Sequence, residues 1–225
     1  MTQFIQTHIL FDLDGTLVDT RAAVTGCYTI VFRERLGSDF PPKDFPVDEL
    51  FAMRPPEVFA IVAPGRVEEL HAAYREAYPR CTAQVKVFAG VRDMILGLRA
   101  SGRKPSIVTN KGLERTLIDL SVADIPPDAF EVIVTAEDTL DRKPHPAPIL
   151  FGMAKAGAAA EDCIYVGDGP QDVLAARAAG MAVIAVSYGF YPDELLRTYQ
   201  PDGLVDDVEG LAGMLGLQPA RKAEQ

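Results

Sequence analysis

Asp12 and Asp14, in the segment FDLDGT from Phe11 to Thr16, stand where a short apolar run gives out and Gly15 frees the backbone to turn. In an open α/β sheet the carboxyl ends of strands form the ligand crevice, so two acids at such an end face a ligand. An Asp-Gly pair after a strand is equally an ordinary turn, and the pair alone decides nothing. Three further stretches carry complementary groups: Thr109 and Asn110 in VTNKG, Lys143 in DRKPHPAP, and Asp168 and Asp172 in GDGPQD. Singly, a Thr-Asn pair is a helix cap, a Lys-Pro pair a solvated turn and a Gly-Asp pair a loop. Together they place four carboxylates in one crevice. Such acids repel one another and would repel a phosphate dianion, so the set makes sense mainly around a hard cation that prefers oxygen ligands.

That convergence requires a parallel sheet. His8 to Leu13 reads as a first buried strand, and from Lys104 onward strand-like and helix-like stretches alternate as in repeated βαβ units. The strands are read as Lys104 to Thr109, Val132 to Thr135, Cys163 to Gly167 and Ala182 to Val186. Helices are read as Val91 to Ala100, Leu113 to Leu120, Pro146 to Ala156 and Pro170 to Ala179, with Pro146 and Pro170 near helix starts. Pro192 to Tyr199 and Asp207 to Leu217 read as a short and a terminal helix, followed by a polar tail from Gln218. The fold class is α/β, a doubly wound, Rossmann-like parallel sheet. Residues 18–85 break the rhythm: Ala22 to Leu36 and Val67 to Tyr78 have helical periodicity, with Pro-rich loops and short helices between them. They read as a small all-helical cap inserted after the first strand, leaving residues 1–17 and 86–225 as the catalytic core. Long inserts at the active end of a sheet commonly act as lids.

Composition narrows the partners. The 225 residues carry a formal net charge of −10, and the 22 Lys and Arg residues form no basic stripe, so nucleic acid is not an expected partner. No apolar run is long enough to span a bilayer, and the N-terminal stretch reads as a core strand and not a signal peptide. The three cysteines, Cys27, Cys81 and Cys163, lack CxxC spacing and read as reduced, buried thiols in a cytoplasmic protein. The three scattered histidines suggest no zinc site.

With these residues in order, the chain resembles the haloacid dehalogenase superfamily, whose four motifs match FDLDGT, VTN, the KPHP lysine and GDGPQD. Among its members, VTNKG, DRKPHPAP, the AARAAG helix and YGF at Tyr188 to Phe190 look most like phosphoglycolate phosphatases. The resemblance implies Mg²⁺ as cofactor, held by Asp12 and Asp168, by the backbone carbonyl of Asp14 and, in support, by Asp172. It implies Asp12 as the nucleophile that forms an aspartyl phosphate, Asp14 as general acid and base, and Lys143 as the charge that neutralises the site. Thr109 would donate its hydroxyl to a phosphate oxygen, and the Asn110 backbone N–H, opening the next helix, would add a second donor. An acid at Asp14 favours phosphate chemistry over dehalogenation. Arg54 in the Pro-rich cap loop and Lys111 are candidates for binding a substrate carboxylate. The expected partner is a small-molecule phosphate ester, 2-phosphoglycolate first, with pyrophosphate, a sugar phosphate or a phosphomutase reaction as alternatives. A non-catalytic interaction protein fits less well, since it has no reason to crowd these acids. A monomer or homodimer is expected. Gly169, where relatives often carry Ser, Thr or Asn, removes a side-chain hydrogen bond near the metal.

Overall fold

The computed structural model describes residues 3–217, so the polar tail from Gln218 lies outside them. The strands in chain order are β1 (His8–Phe11), β2 (Val18–Asp19), β3 (Lys86–Val87), β4 (Lys104–Val108), β5 (Ile133–Val134), β6 (Cys163–Gly167), β7 (Ala182–Val186) and β8 (Gly203–Val205). The helices are α1 (Arg21–Val31), α2 (Pro55–Val62), α3 (Val67–Cys81), α4 (Val91–Ala100), α5 (Leu113–Val122), α6 (Ala147–Ala156), α7 (Pro170–Ala178), α8 (Asp193–Thr198) and α9 (Val208–Met214). Among the described residues, no helix is long and apolar enough to cross a membrane.

Six strands form one sheet in the order β5-β4-β1-β6-β7-β8, every neighbouring pair parallel. Parallel strands need crossover helices, which cover both faces and leave the strands buried. All four residues of β1 are accordingly buried, as are all five of β6. Alternation assigns the faces. Leu10, Val108, Val134, Tyr165, Val183 and Ala185 share one core cluster with Ile149 and Met153 of α6 and with Val173, Ala175 and Ala176 of α7. The sequence did not anticipate β8. It has three residues, at the sheet edge just after Pro201 and Asp202, too few for a strand period to register. The expected third strand, Val132 to Thr135, has its paired register only at Ile133 and Val134.

The chain divides into two compact units, one running to Asp19 and resuming at Val87, the other spanning Thr20–Lys86. The crossings fall two residues and one residue later than the sequence places them, where β2 and β3 pair with each other. Within the inserted unit, α3 packs against both α1 and α2. Tyr28 is the hub of its core, with ring centroids 4.9 Å from both Phe40 and Tyr74. Two details depart from the sequence reading. α1 ends at Val31 and passes into a π-helical turn over Phe32–Leu36, and α3 runs through Pro79 to Cys81. A proline so near a helix end removes one backbone bond without breaking the turns before it. The Pro-rich stretch supplies α2, with Pro55 and Pro56 in its first two positions, where missing N–H groups have no helical partner to lose.

Candidate active site

Parallel topology sends β1, β4 and β6 to the same sheet edge, so Asp12, Thr109 and Asp168 each lie one residue past a strand end. The ladder continues through them: the Asp12 N–H donates to the Val166 carbonyl at 2.9 Å and the Thr109 N–H to Val134 at 3.0 Å. Their backbones are therefore held by the sheet. Asp12, Asp168 and Asp172 are buried, and one carboxylate oxygen from each lies within 4.8 Å of the others. This all-oxygen, all-acid set fits a hard divalent cation such as Mg²⁺.

Lys143 pairs with two of these acids. Its Nζ lies 3.0 Å from Asp12 Oδ1 and 2.7 Å from Asp172 Oδ1, and donates to the Tyr165 hydroxyl at 2.7 Å. The Tyr165 hydroxyl donates to the Val108 carbonyl at 2.8 Å, so the ammonium is directed by a group anchored to two strands. Asn110 also holds Lys143, through its side chain. Its Nδ2 donates to the Lys143 carbonyl at 3.0 Å, and its Oδ1 accepts from the Lys143 N–H at 3.1 Å. The expectation that Asn110 opens the next helix needs correcting: α5 begins at Leu113, whose N–H donates to Glu137 Oε2 at 3.0 Å.

Asp172 sits in the first turn of α7, where its Oδ2 accepts from the Gly169 N–H at 3.0 Å, so the turn that carries the acid also orients it. Asp168 accepts the Phe190 N–H at 2.6 Å. Gly15, with φ +79°, and Gly189 press against Asp168, and a Cβ on either would overlap it. At Gly169 the atoms nearest to an added Cβ belong to the flexible end of the Gln171 side chain.

Three buried acids face one buried ammonium, and the surplus negative charge has a predictable effect. Burial, opposed by Lys143 but reinforced by Asp172 and Asp14, raises the Asp12 pKa to about 7. Burial, with Asp172 and Asp12 beside it, raises Asp168 well above the usual carboxylate range. Burial works against the Lys143 charge, yet Asp12 and Asp172 outweigh it and raise its pKa.

The remaining predicted residues divide. The Thr109 hydroxyl accepts from the Lys111 N–H at 3.1 Å, which leaves its own hydrogen to donate. The Asp14 carboxylate is not part of the three-acid cluster, and Lys111 Nζ reaches its Oδ1 at 2.7 Å. Lys111 is itself buried and pairs also with Asp119. Arg54 belongs to the inserted unit, where it is exposed and lies 3.6 Å from Glu57. Sequence reading missed Tyr165, Asp119 and the Phe190 N–H. Tyr165 sits inside an apolar strand and reads as core, Asp119 reads as a solvated helix position, and a backbone donor has no letter of its own.

A doubly wound sheet whose strand ends gather these acids, this lysine and this threonine defines a hydrolase class, and residues 9–186 match the haloacid dehalogenase-like hydrolase model. The chain belongs to that family, and it is a phosphatase of it. Among curated relatives, pyrophosphatase PpaX of Anoxybacillus flavithermus is 32% identical over 219 residues, covering 93% of this chain and 96% of its own. The PpaX of Halalkalibacterium halodurans is 30% identical, covering 93% and 97%. Among solved structures, a haloacid dehalogenase-like family hydrolase from Streptococcus pneumoniae superimposes with a TM-score of 0.78 at 27% identity, covering 93% of this chain and 98% of its own.

Proposed function

We propose that the protein is a Mg²⁺-dependent phosphatase that takes a phosphoryl group onto Asp12 and passes it to water, with pyrophosphate as its first substrate. The observation that carries this reading is the buried cluster of Asp12, Asp168 and Asp172 against Lys143, an arrangement of little use to a fold without a cation and an anion to bind. Asp12, Asp168 and Asp172, with the Asp14 backbone carbonyl, would hold Mg²⁺, which would supply positive charge for the transferring phosphoryl group. Asp12 attacks phosphorus, its free carboxylate oxygen aimed because Lys143 and the Leu13 N–H both engage Oδ1, the latter at 2.8 Å. Thr109 donates its hydroxyl to a phosphate oxygen. Asp14 gives a proton to the leaving oxygen and later takes one from the hydrolytic water.

Lys111, beside Asp14, meets the leaving group, which suits an anion: phosphate from pyrophosphate, or glycolate from 2-phosphoglycolate. The names of the two PpaX relatives favour pyrophosphate. 2-Phosphoglycolate is the second reading. Phosphate release from pyrophosphate, 2-phosphoglycolate and a sugar phosphate, each with Mg²⁺ or with EDTA, tests this. Pyrophosphate should have the highest kcat/KM and EDTA should abolish all turnover. Turnover that persists in EDTA contradicts the metal reading, and a preference for 2-phosphoglycolate reverses the order of substrates.

A further inference from the structure

Asp119 lies in the middle of α5, outside every segment that the motifs mark, yet it is fully buried at 0% exposure. Its carboxylate pairs with Lys111 Nζ, and Lys111 is only 5% exposed. The same ammonium reaches Asp14 Oδ1 at 2.7 Å, so Asp119, Lys111 and Asp14 form a continuous line from the body of the helix to the strand-end acids. A buried ion pair is seldom a better source of stability than apolar residues of the same volume, which directs attention to what this one positions.

We infer that Asp119 is a positioning residue. Acting through Lys111, it fixes the ammonium beside Asp14, at the point where the leaving group departs; this rests on the phosphatase reading above. The reasoning is geometric. Lysine carries a compact charge on a flexible four-carbon stem, and one partner leaves that stem free to swing away from Asp14. Asp119 supplies a second, rigidly mounted partner. α5 is anchored at its start by Glu137, which accepts the Leu113 N–H at 3.0 Å and the Thr135 hydroxyl at 2.8 Å. The side chain two turns further on is therefore fixed relative to β5, and the Lys111 ammonium is held between that carboxylate and Asp14. Asp119 touches no substrate in this account. Its effect on the reaction passes through Lys111.

A double-mutant cycle on kcat/KM for magnesium pyrophosphate tests this with the full chain, comparing wild type, Asp119→Asn, Lys111→Met and the double variant. Misplacing the ammonium should lower kcat/KM about tenfold or more in Asp119→Asn, and Lys111→Met should lower it at least as far. The double variant should match Lys111→Met within about twofold, because a residue that acts only through Lys111 has nothing left to lose. A double variant as low as the product of the single effects would overturn the inference, as would Asp119→Asn at the wild-type rate. Asp119→Glu keeps the charge and moves it by one methylene, and it replaces the Asn variant in the cycle if that variant does not fold. Its loss should likewise vanish in the Lys111→Met background, and a loss that persists there overturns the inference. An inactive wild-type chain would overturn both this inference and the phosphatase reading. A fully active Asp119→Asn overturns this one alone.

Discussion

At the scale of single residues, the account depends on how Asp12 and Lys143 are held. Asp12→Asn removes the proposed nucleophile while keeping its volume, so kcat should fall by at least about 10³-fold with the circular dichroism spectrum unchanged. Tyr165→Phe tests the support behind Lys143. It removes the hydroxyl that accepts from Nζ at 2.7 Å and donates to Val108 at 2.8 Å, leaving a buried ammonium hydrogen without that partner. A hydrogen bond to a charged group contributes about 1.5–3 kcal/mol, so kcat should drop by roughly ten- to a hundredfold while KM changes little. An unchanged kcat would show that Asp12 and Asp172 orient Lys143 unaided. What the sequence revealed at this scale follows from residue chemistry. Acids and a lysine at predicted strand ends stand out because such places have no core to fill, whereas Tyr165 hides in CIYVG, where an aromatic is what a buried strand wants. Asp119 hides for the opposite reason, since a polar letter on a helix normally means solvent.

At the scale of elements, the loop after β7 clasps the site. Tyr188 donates its hydroxyl to the Thr16 carbonyl at 3.0 Å, the Phe190 N–H donates to Asp168, and Gly189 between them lies against Gly15 and Asp168. Gly189→Ala would force a Cβ into backbone and into the Asp168 side chain, so Mg²⁺-dependent activity should fall at least about tenfold, with a lower Tm. Wild-type activity in that variant would mean that the loop yields more readily than its contacts suggest. The order of strands and helices was legible because apolar runs, glycines and prolines punctuate this half of the chain regularly. The YGF loop was visible only as a resemblance, because its role lies in a backbone N–H and in the absence of a side chain. β8 escaped notice because three edge residues carry no period. The inserted unit was legible as helical from its 3.6-residue spacing, but a π turn at Phe32–Leu36 has no letter pattern of its own, and Pro79 reads as a helix stop although α3 runs on to Cys81.

At the scale of the whole molecule, crowded acids couple stability to pH, and the proposed Mg²⁺ site would couple it to metal. Asp12 has a folded pKa raised from 3.8 to about 7, so in that window the folded state binds more protons than the unfolded one. Metal-free protein is therefore most stable below the unfolded value and loses stability as pH rises toward 7, and Asp168 acts in the same direction. In EDTA the Tm should fall between about pH 5 and pH 7.5, and saturating Mg²⁺ should raise it more at the higher pH, where the acids are ready to bind. A Tm in EDTA that rises across this range, or one that ignores Mg²⁺, would contradict the cluster as a metal site. The central claim is that Asp12 carries the phosphoryl group. Its most direct test is acid quenching of the enzyme during turnover of ³²P-labelled pyrophosphate with Mg²⁺, followed by peptide mapping. The account predicts label on the peptide that contains Asp12 and none in Asp12→Asn. Hydrolysis without label there, together with turnover by Asp12→Asn, would contradict it.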